Sequence, residues 1–173
     1  ILYIALSKIG IIVSPIPVQY GKYEITKIID DIRPKGYIGI ASFNSKNFTE
    51  GIRDAFTDEH ILFSVGDAEG FINIDKEGLG ENSLVDSDEY IQSITNSAND
   101  ILTICWTSGT TGTPKGVPRS HNLWSTMAKA AYHLADTQKG DILLNPFPLV
   151  NMASIGGFLF NWLICKGKLL SLI

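Results

Sequence analysis

The ten residues Thr107-Ser108-Gly109-Thr110-Thr111-Gly112-Thr113-Pro114-Lys115-Gly116 concentrate three glycines, five hydroxyl side chains and one lysine. They lie between two apolar, strand-like runs. Glycines let backbone N–H groups turn toward a common point, and hydroxyls add further donors. The lysine brings a flexible positive charge. Donors, a cation and no acid on one loop are the chemistry of a polyphosphate site.

Two other readings of this stretch can be weighed. A solvated Gly/Ser/Thr loop accounts for the glycines. It does not account for the Pro-Lys-Gly ending or for the lack of any charge but Lys115. The phosphate loop of nucleoside triphosphatases needs Gly-Lys-Ser/Thr opening directly into a helix. Here Lys115 follows Pro114 and precedes Gly116-Val117-Pro118, so no helix can start at the lysine. The phosphates would be held by the loop itself and not by a helix N-terminus.

From Thr107 to Val117 the sequence resembles, without a gap, the phosphate-loop signature of the adenylate-forming (AMP-binding) enzymes. These include acyl-CoA synthetases, peptide-synthetase adenylation domains and luciferases. Ser120-His121-Asn122 continues the likeness, similar to the Thr-His-Asn that opens the next helix in many members. Gly10-Ile11-Ile12-Val13-Ser14-Pro15 resembles an earlier region of the family, followed by a helix with a glutamate near its start, here Glu24. Asn145-Pro146-Phe147-Pro148-Leu149 is similar to the extended Pro-rich segment after the loop. Many members then carry a histidine or aromatic residue that helps line the acyl and nucleotide sites. This chain has Val150-Asn151-Met152 there.

The resemblance, most like an acyl-CoA synthetase, implies a reaction. ATP and a carboxylic acid form an acyl-adenylate and pyrophosphate. A thiol, commonly that of CoA as co-substrate, then attacks the adenylate. Thr107, Ser108, Gly109, Thr110, Thr111, Gly112, Thr113 and Lys115 would form the phosphate clamp, with Mg²⁺ helping to neutralise the leaving pyrophosphate. Asn151 is a substrate-pocket candidate; the other reading makes it a helix N-cap bonded to its own backbone. The main catalytic lysine of the family, its adenine-binding segment and its Mg²⁺-binding glutamate are expected outside these residues, so no metal ligand is assigned here. The acid substrate is a small molecule, and an acyl- or peptidyl-carrier protein is an alternative acceptor to CoA. Two further alternatives are an adenylation domain of a peptide synthetase or aryl-acid-activating enzyme, and a non-catalytic nucleotide-binding or interaction protein.

These residues need a frame to hold them. The chain has 173 residues and is 45% apolar, enough for one good core. The pattern predicts an α/β fold, a largely parallel sheet flanked by helices. A helix ends near residue 9, and Ile11-Ile12-Val13 reads as a buried strand. Ile25, Ile28, Ile29 and Ile32 recur at helical spacing. Tyr37–Ala41 and Ile61–Val65 read as strands, with a helix between them over 46–58. Ile101–Trp106 is the strand entering the loop, and Pro118 suggests an edge strand leaving it. Ser120 is a good N-cap for a helix whose core face would be Leu123, Met127, Ala130, Ala131 and Leu134. Asp141–Asn145 reads as a strand and 152–165 as a buried helix.

Charge and composition exclude other classes. The net charge of −4 gives no electrostatic footprint for nucleic acid. Nine of the eighteen acids fall in residues 66–100 with the single base Lys76, which reads as a solvated surface excursion. Cys105 and Cys165 sit in apolar runs, consistent with buried free thiols in a reducing, cytoplasmic setting. His60, His121 and His133 lack metal-ligand spacing. The stretch Ile155–Cys165 is too short to span a bilayer. Both ends of the chain are apolar, which suggests a partial N-terminal domain truncated at both ends, 1–173, with no complete second domain and no activity by itself.

Overall fold

The computed structural model describes residues 2–77, 87–107 and 114–172. Its contacts divide the chain into two units, residues 18–90 and the combination of 1–17 with 91–173. The first helix, α1 (Leu2–Lys8), belongs to the second of these and is stopped at Gly10, whose φ is +72°.

In the 18–90 unit, α2 (Lys22–Ile32) starts with a Glu24 carboxylate accepting the Gly21 N–H at 3.0 Å. A carboxylate there satisfies an otherwise unpaired donor and suits the positive end of the helix dipole. Ile25 and Ile28 are buried, as the isoleucine spacing predicts, and Arg33 ends the helix in left-handed backbone. Strand β1 (Gly36–Ile40) follows. Next comes a two-stranded hairpin, β2 (Ser42–Phe43) with β3 (Lys46–Asn47). Strands β4 (Ile61–Val65) and β5 (Ile72–Asn73) complete a parallel sheet in the order β1-β4-β5.

The predicted helix over 46–58 does not form. Asn44 and Ser45 turn with positive φ, and the Asn47 side-chain carbonyl accepts the N–H groups of Thr49 and Glu50, both at 2.9 Å. That side chain takes donors a helix would need, and Gly51 at φ +75° breaks the chain again. One short 3₁₀ turn, Arg53–Ala55, remains, although Ile52 and Phe56 are buried as the apolar pattern requires.

After β5 come α3 (Ile74–Glu77) and α4 (Ser87–Ser93). Among the described residues with placed side chains between 66 and 100, none is buried, in keeping with a surface excursion. Part of it is nonetheless tied down. Lys76 Nζ pairs with Asp67 at 2.7 Å and, with Asn73, holds that carboxyl below its ordinary range. Asp75 accepts the Gly66 N–H.

In the second unit, β6 (Ile101–Thr107) pairs antiparallel with β7 (Lys115–Ser120). Ile11-Ile12-Val13 forms no strand of its own. Val13 alone makes a parallel bridge to Thr103, and Ile11 and Ile12 stay exposed. The left-handed turn at Gly10 and the prolines at 15 and 17, which lack the N–H a ladder needs, confine pairing to one residue. Helix α5 (His121–Leu134) is capped by Ser120, whose Oγ accepts the Leu123 N–H at 3.3 Å. Strand β8 (Ile142–Asn145) pairs parallel with β9 (Lys168–Ser171). A π-helical stretch, Ala153–Leu159, and α6 (Phe160–Cys165) connect them.

The core of this unit is Leu102, Cys105, Trp124 and Ile155, with Tyr3, Met127 and Phe160 packed against it. Cys105 and Cys165 are free and buried. The face α5 turns inward is not the expected one. Trp124 and Ala128 are buried, whereas Leu134 is 88% exposed and Leu123 also lies outside. The large indole sets the phase of the helix, rotating the buried stripe by one position.

Gly167 lets β9 start against the chain entering β8. A Cβ there would overlap the Asp141 carbonyl, which also accepts the Lys168 N–H. Gly167→Ala is expected to destabilise the fold by about 1–3 kcal/mol, because backbone must move to admit it. Urea unfolding of the variant beside wild type measures this; an unchanged midpoint would show that the approach is loose.

Candidate nucleotide-binding site

Strand β6 delivers the chain to the hydroxyl- and glycine-rich loop, and β7 takes it away. Thr107 and Lys115 face each other as the last pair of the ladder, and the Thr107 hydroxyl donates to the Lys115 carbonyl at 3.5 Å. Both ends of the loop are therefore anchored to one hairpin. Lys115 opens a strand, not a helix, in line with the Pro-Lys-Gly-Val-Pro sequence. Ser108, Gly109, Thr110, Thr111, Gly112 and Thr113 lie outside the described residues. Of the proposed clamp, Thr107 and Lys115 are placed, side by side and exposed at the mouth of the hairpin.

The base of the hairpin is held from two sides. Trp106 sits opposite Gly116, and a Cβ on Gly116 would come within 3.1 Å of the Trp106 ring and 2.9 Å of Ile104. The glycine is what lets the indole lie across the strand. The Trp106 indole N–H donates to Ser14 Oγ at 2.7 Å, and that hydroxyl donates to the Ile104 carbonyl at 3.4 Å. Residues 13 and 14 thereby brace the strand that leads into the loop.

The segment 145–152 is built with comparable care. Asn145 is fully buried; its amide donates to the Phe147 carbonyl at 2.9 Å, and its own carbonyl accepts the Phe147 N–H at 3.1 Å. Tyr3 on α1 donates to the Leu149 carbonyl at 2.8 Å across 146 residues of sequence. Burial, with a smaller contribution from Cys105, pushes the Tyr3 phenol far above its usual range, so it acts as a neutral donor. Asn151 accepts the Ser154 N–H at 2.8 Å, the helix-capping arrangement. Its carbonyl oxygen is committed to the backbone there.

Arg119 and Tyr3 were not among the residues the sequence singles out, and Ser14 and Asn145 entered only as members of longer stretches that resemble the family. The partners of Arg119, Tyr3 and Ser14 are distant in sequence, and no local pattern shows the bonds they make. His121 lies elsewhere: with Asp100 and Asn96 it lines a cavity of about 290 Å³ near Ile101, at the other end of β6 from the loop. Among the described residues, no group of three or more His, Cys, Asp or Glu could hold a metal ion, and no helix is long and apolar enough to cross a membrane.

Comparison with known proteins gives this geometry a context. The family described as AMP-binding enzyme matches residues 1–172. The chain belongs to that family. The chain is similar to 2-succinylbenzoate–CoA ligase, chloroplastic/peroxisomal, of Arabidopsis thaliana, 39% identical over 59 residues, a match covering 34% of this chain and 10% of that protein. The apo structure of MbtA from Mycobacterium smegmatis superposes with a TM-score of 0.79 at 16% identity, over 98% of this chain and 31% of that one. ATP-bound MatB from Rhodopseudomonas palustris gives 0.66 at 22% identity, over 99% and 32%. The chain thus spans about a third of the length of these two proteins. What it shares with them at such identity is the fold: an α/β arrangement with parallel sheet and helices, that of the N-terminal domain of adenylate-forming enzymes.

The Tyr3 hydrogen bond generates a pH prediction. A phenol whose folded pKa is raised adds stability that is complete below the unfolded pKa, about 10, and is lost as pH rises toward the folded value. Tyr3→Phe should cost about 1 kcal/mol at neutral pH. The difference in urea midpoint from wild type should hold constant up to about pH 9.5 and narrow above about pH 10. A difference that widens at high pH would contradict the assignment.

Proposed function

We propose that this chain carries the phosphate-binding part of an ATP-dependent acid-activating enzyme. The observation that supports it is the β6–β7 hairpin closed at Thr107 and Lys115, in a chain of the AMP-binding family. That pairing brings together Thr107 and Lys115, the residues that flank the proposed donors in the sequence.

In the proposed reaction, a carboxylate oxygen attacks the α-phosphorus of ATP. The bond from that phosphorus to the bridging oxygen breaks, and pyrophosphate leaves with the electron pair. Repulsion between two anions is the barrier. Backbone N–H groups and the hydroxyls of Ser108, Thr110 and Thr111 would donate to the β- and γ-phosphate oxygens, where charge accumulates. Lys115 adds a compact positive charge at the exit of the loop. Mg²⁺ would arrive on the triphosphate and supply further charge neutralisation. The acyl-adenylate then passes its acyl group to a thiol, with CoA as the proposed acceptor and AMP as leaving group. ATP bound to MatB and the CoA ligase name of the Arabidopsis relative support these two steps. Adenine, ribose and the reacting carboxylate would be held by residues beyond those described here.

In the full-length protein, Thr110→Ala combined with Thr111→Ala should slow acid-dependent exchange of pyrophosphate into ATP on the order of a hundredfold, the typical cost of losing such a donor. An unchanged exchange rate in the double variant would remove the loop from the mechanism. Residues 1–173 expressed alone should release no pyrophosphate from MgATP with any of a panel of carboxylic acids, since orienting both reactants is worth roughly 7–11 kcal/mol of barrier in favourable cases. Turnover by that chain would mean the whole site is contained in it.

A further inference from the structure

Arg119 stands four residues beyond Lys115 on β7, and the two-residue pleat puts both side chains on the same face of the strand. Its setting is unusual for a guanidinium. The ion pairs among the described residues are Lys22–Asp54, Arg53–Asp58 and Lys76–Asp67, and none involves it. Its Nε is buried without a hydrogen-bond partner. One terminal nitrogen donates to the Met152 thioether at 2.8 Å, and the guanidinium carbon lies 5.9 Å from the centre of the Trp124 ring. Among the described residues the guanidinium has a thioether and an aromatic face beside it but no ion-pair partner, and withdrawing its Nε from water without a hydrogen bond costs free energy that an apolar side chain would not.

What the guanidinium supplies in return is a planar, directional link that an aliphatic chain cannot make. One end of that link is β7, the strand leaving the loop. The other is Met152, the residue after Asn151 and the last of the segment 146–152. Tyr3 and Asn145 tie the same segment to α1 and β8; Arg119 ties it to the hairpin that bears the loop. Trp124, fully buried and bonded to Thr103 on β6, gives the arginine a fixed platform.

We propose that Arg119 is a positioning residue that couples the phosphate loop to the segment 146–152, so that nucleotide held at the loop also orders that segment. The inference rests on the nucleotide reading above. It assigns Arg119 no contact with nucleotide or acid; it acts through Met152.

Amide hydrogen exchange of the full-length protein, with and without MgATP, tests it without knowledge of the acid. In wild type, MgATP should slow exchange both at 115–120 and at the amides of 146–152. In Arg119→Gln the slowing at 115–120 should persist and that at 146–152 should be lost. Met152→Leu, which keeps the volume and removes the acceptor, should reproduce that loss, and it serves where the arginine variant fails to fold. Arg119→Lys should restore little, because an ammonium lacks the planar fork. Protection at 115–120 alone in wild type, or wild-type protection of both regions in both variants, would overturn the coupling. No MgATP-dependent protection anywhere in wild type would overturn the nucleotide reading and this inference with it.

Discussion

The indole N–H of Trp124 reaches the Thr103 hydroxyl at 3.0 Å, and both side chains are fully buried. A buried donor without a partner is costly, so this bond fixes which face α5 presents to β6. Much else in the unit follows from it. Phe160 of α6 lies parallel to the indole at 5.9 Å, which seats the second helix against the first. Thr103 also receives the parallel bridge from Val13, so residues 11–14 are drawn to the same strand. A register shift between Ile101 and Thr103 lets Leu102 and Thr103 both be buried, where a regular strand would send one of them out.

Two further segments rest on that base. The antiparallel pairing of β6 and β7 keeps Thr107 and Lys115, at the two ends of a seven-residue connection, together. The segment 145–152 is held through backbone carbonyls and N–H groups by Asn145, Tyr3 and Asn151. A proline-rich stretch has few N–H groups to place in a ladder, so side chains must do the anchoring.

The parallel strands carry a different lesson. Parallel sheet is stable when both faces are covered. In β8 and β9, Asn145 and the inner residues pack on the π-helical stretch, while Ile142, Leu144 and Leu170 remain more than half exposed. Relatives about three times as long contain this fold as one part. The exposed apolar rows are therefore a property of these 173 residues and do not by themselves define a site.

The sequence alone determined what is governed by neighbours along the chain. Short apolar runs bounded by turn residues became β4, β6 and β8 within a residue or so of their expected limits. Ser120 and Glu24 capped their helices because a cap needs only its own first turn. The loop signature was legible because its donors, glycines and lysine are contiguous, and Pro118 fell on the edge strand as its missing N–H requires. Tertiary structure decided the rest. Residues 46–58 have the apolar spacing of a helix, yet Asn47 and the turn at 44–45 capture the backbone first. Leucine spacing in α5 pointed to one face, and a single indole needing Thr103, 21 residues away, chose another. The links from Tyr3 to Leu149 and from Arg119 to Met152 join residues that no periodicity connects. Local propensity sets which backbone hydrogen bonds form nearby, whereas burying a polar side chain selects its partner from whatever the folded chain brings within reach, and that choice exists only after folding.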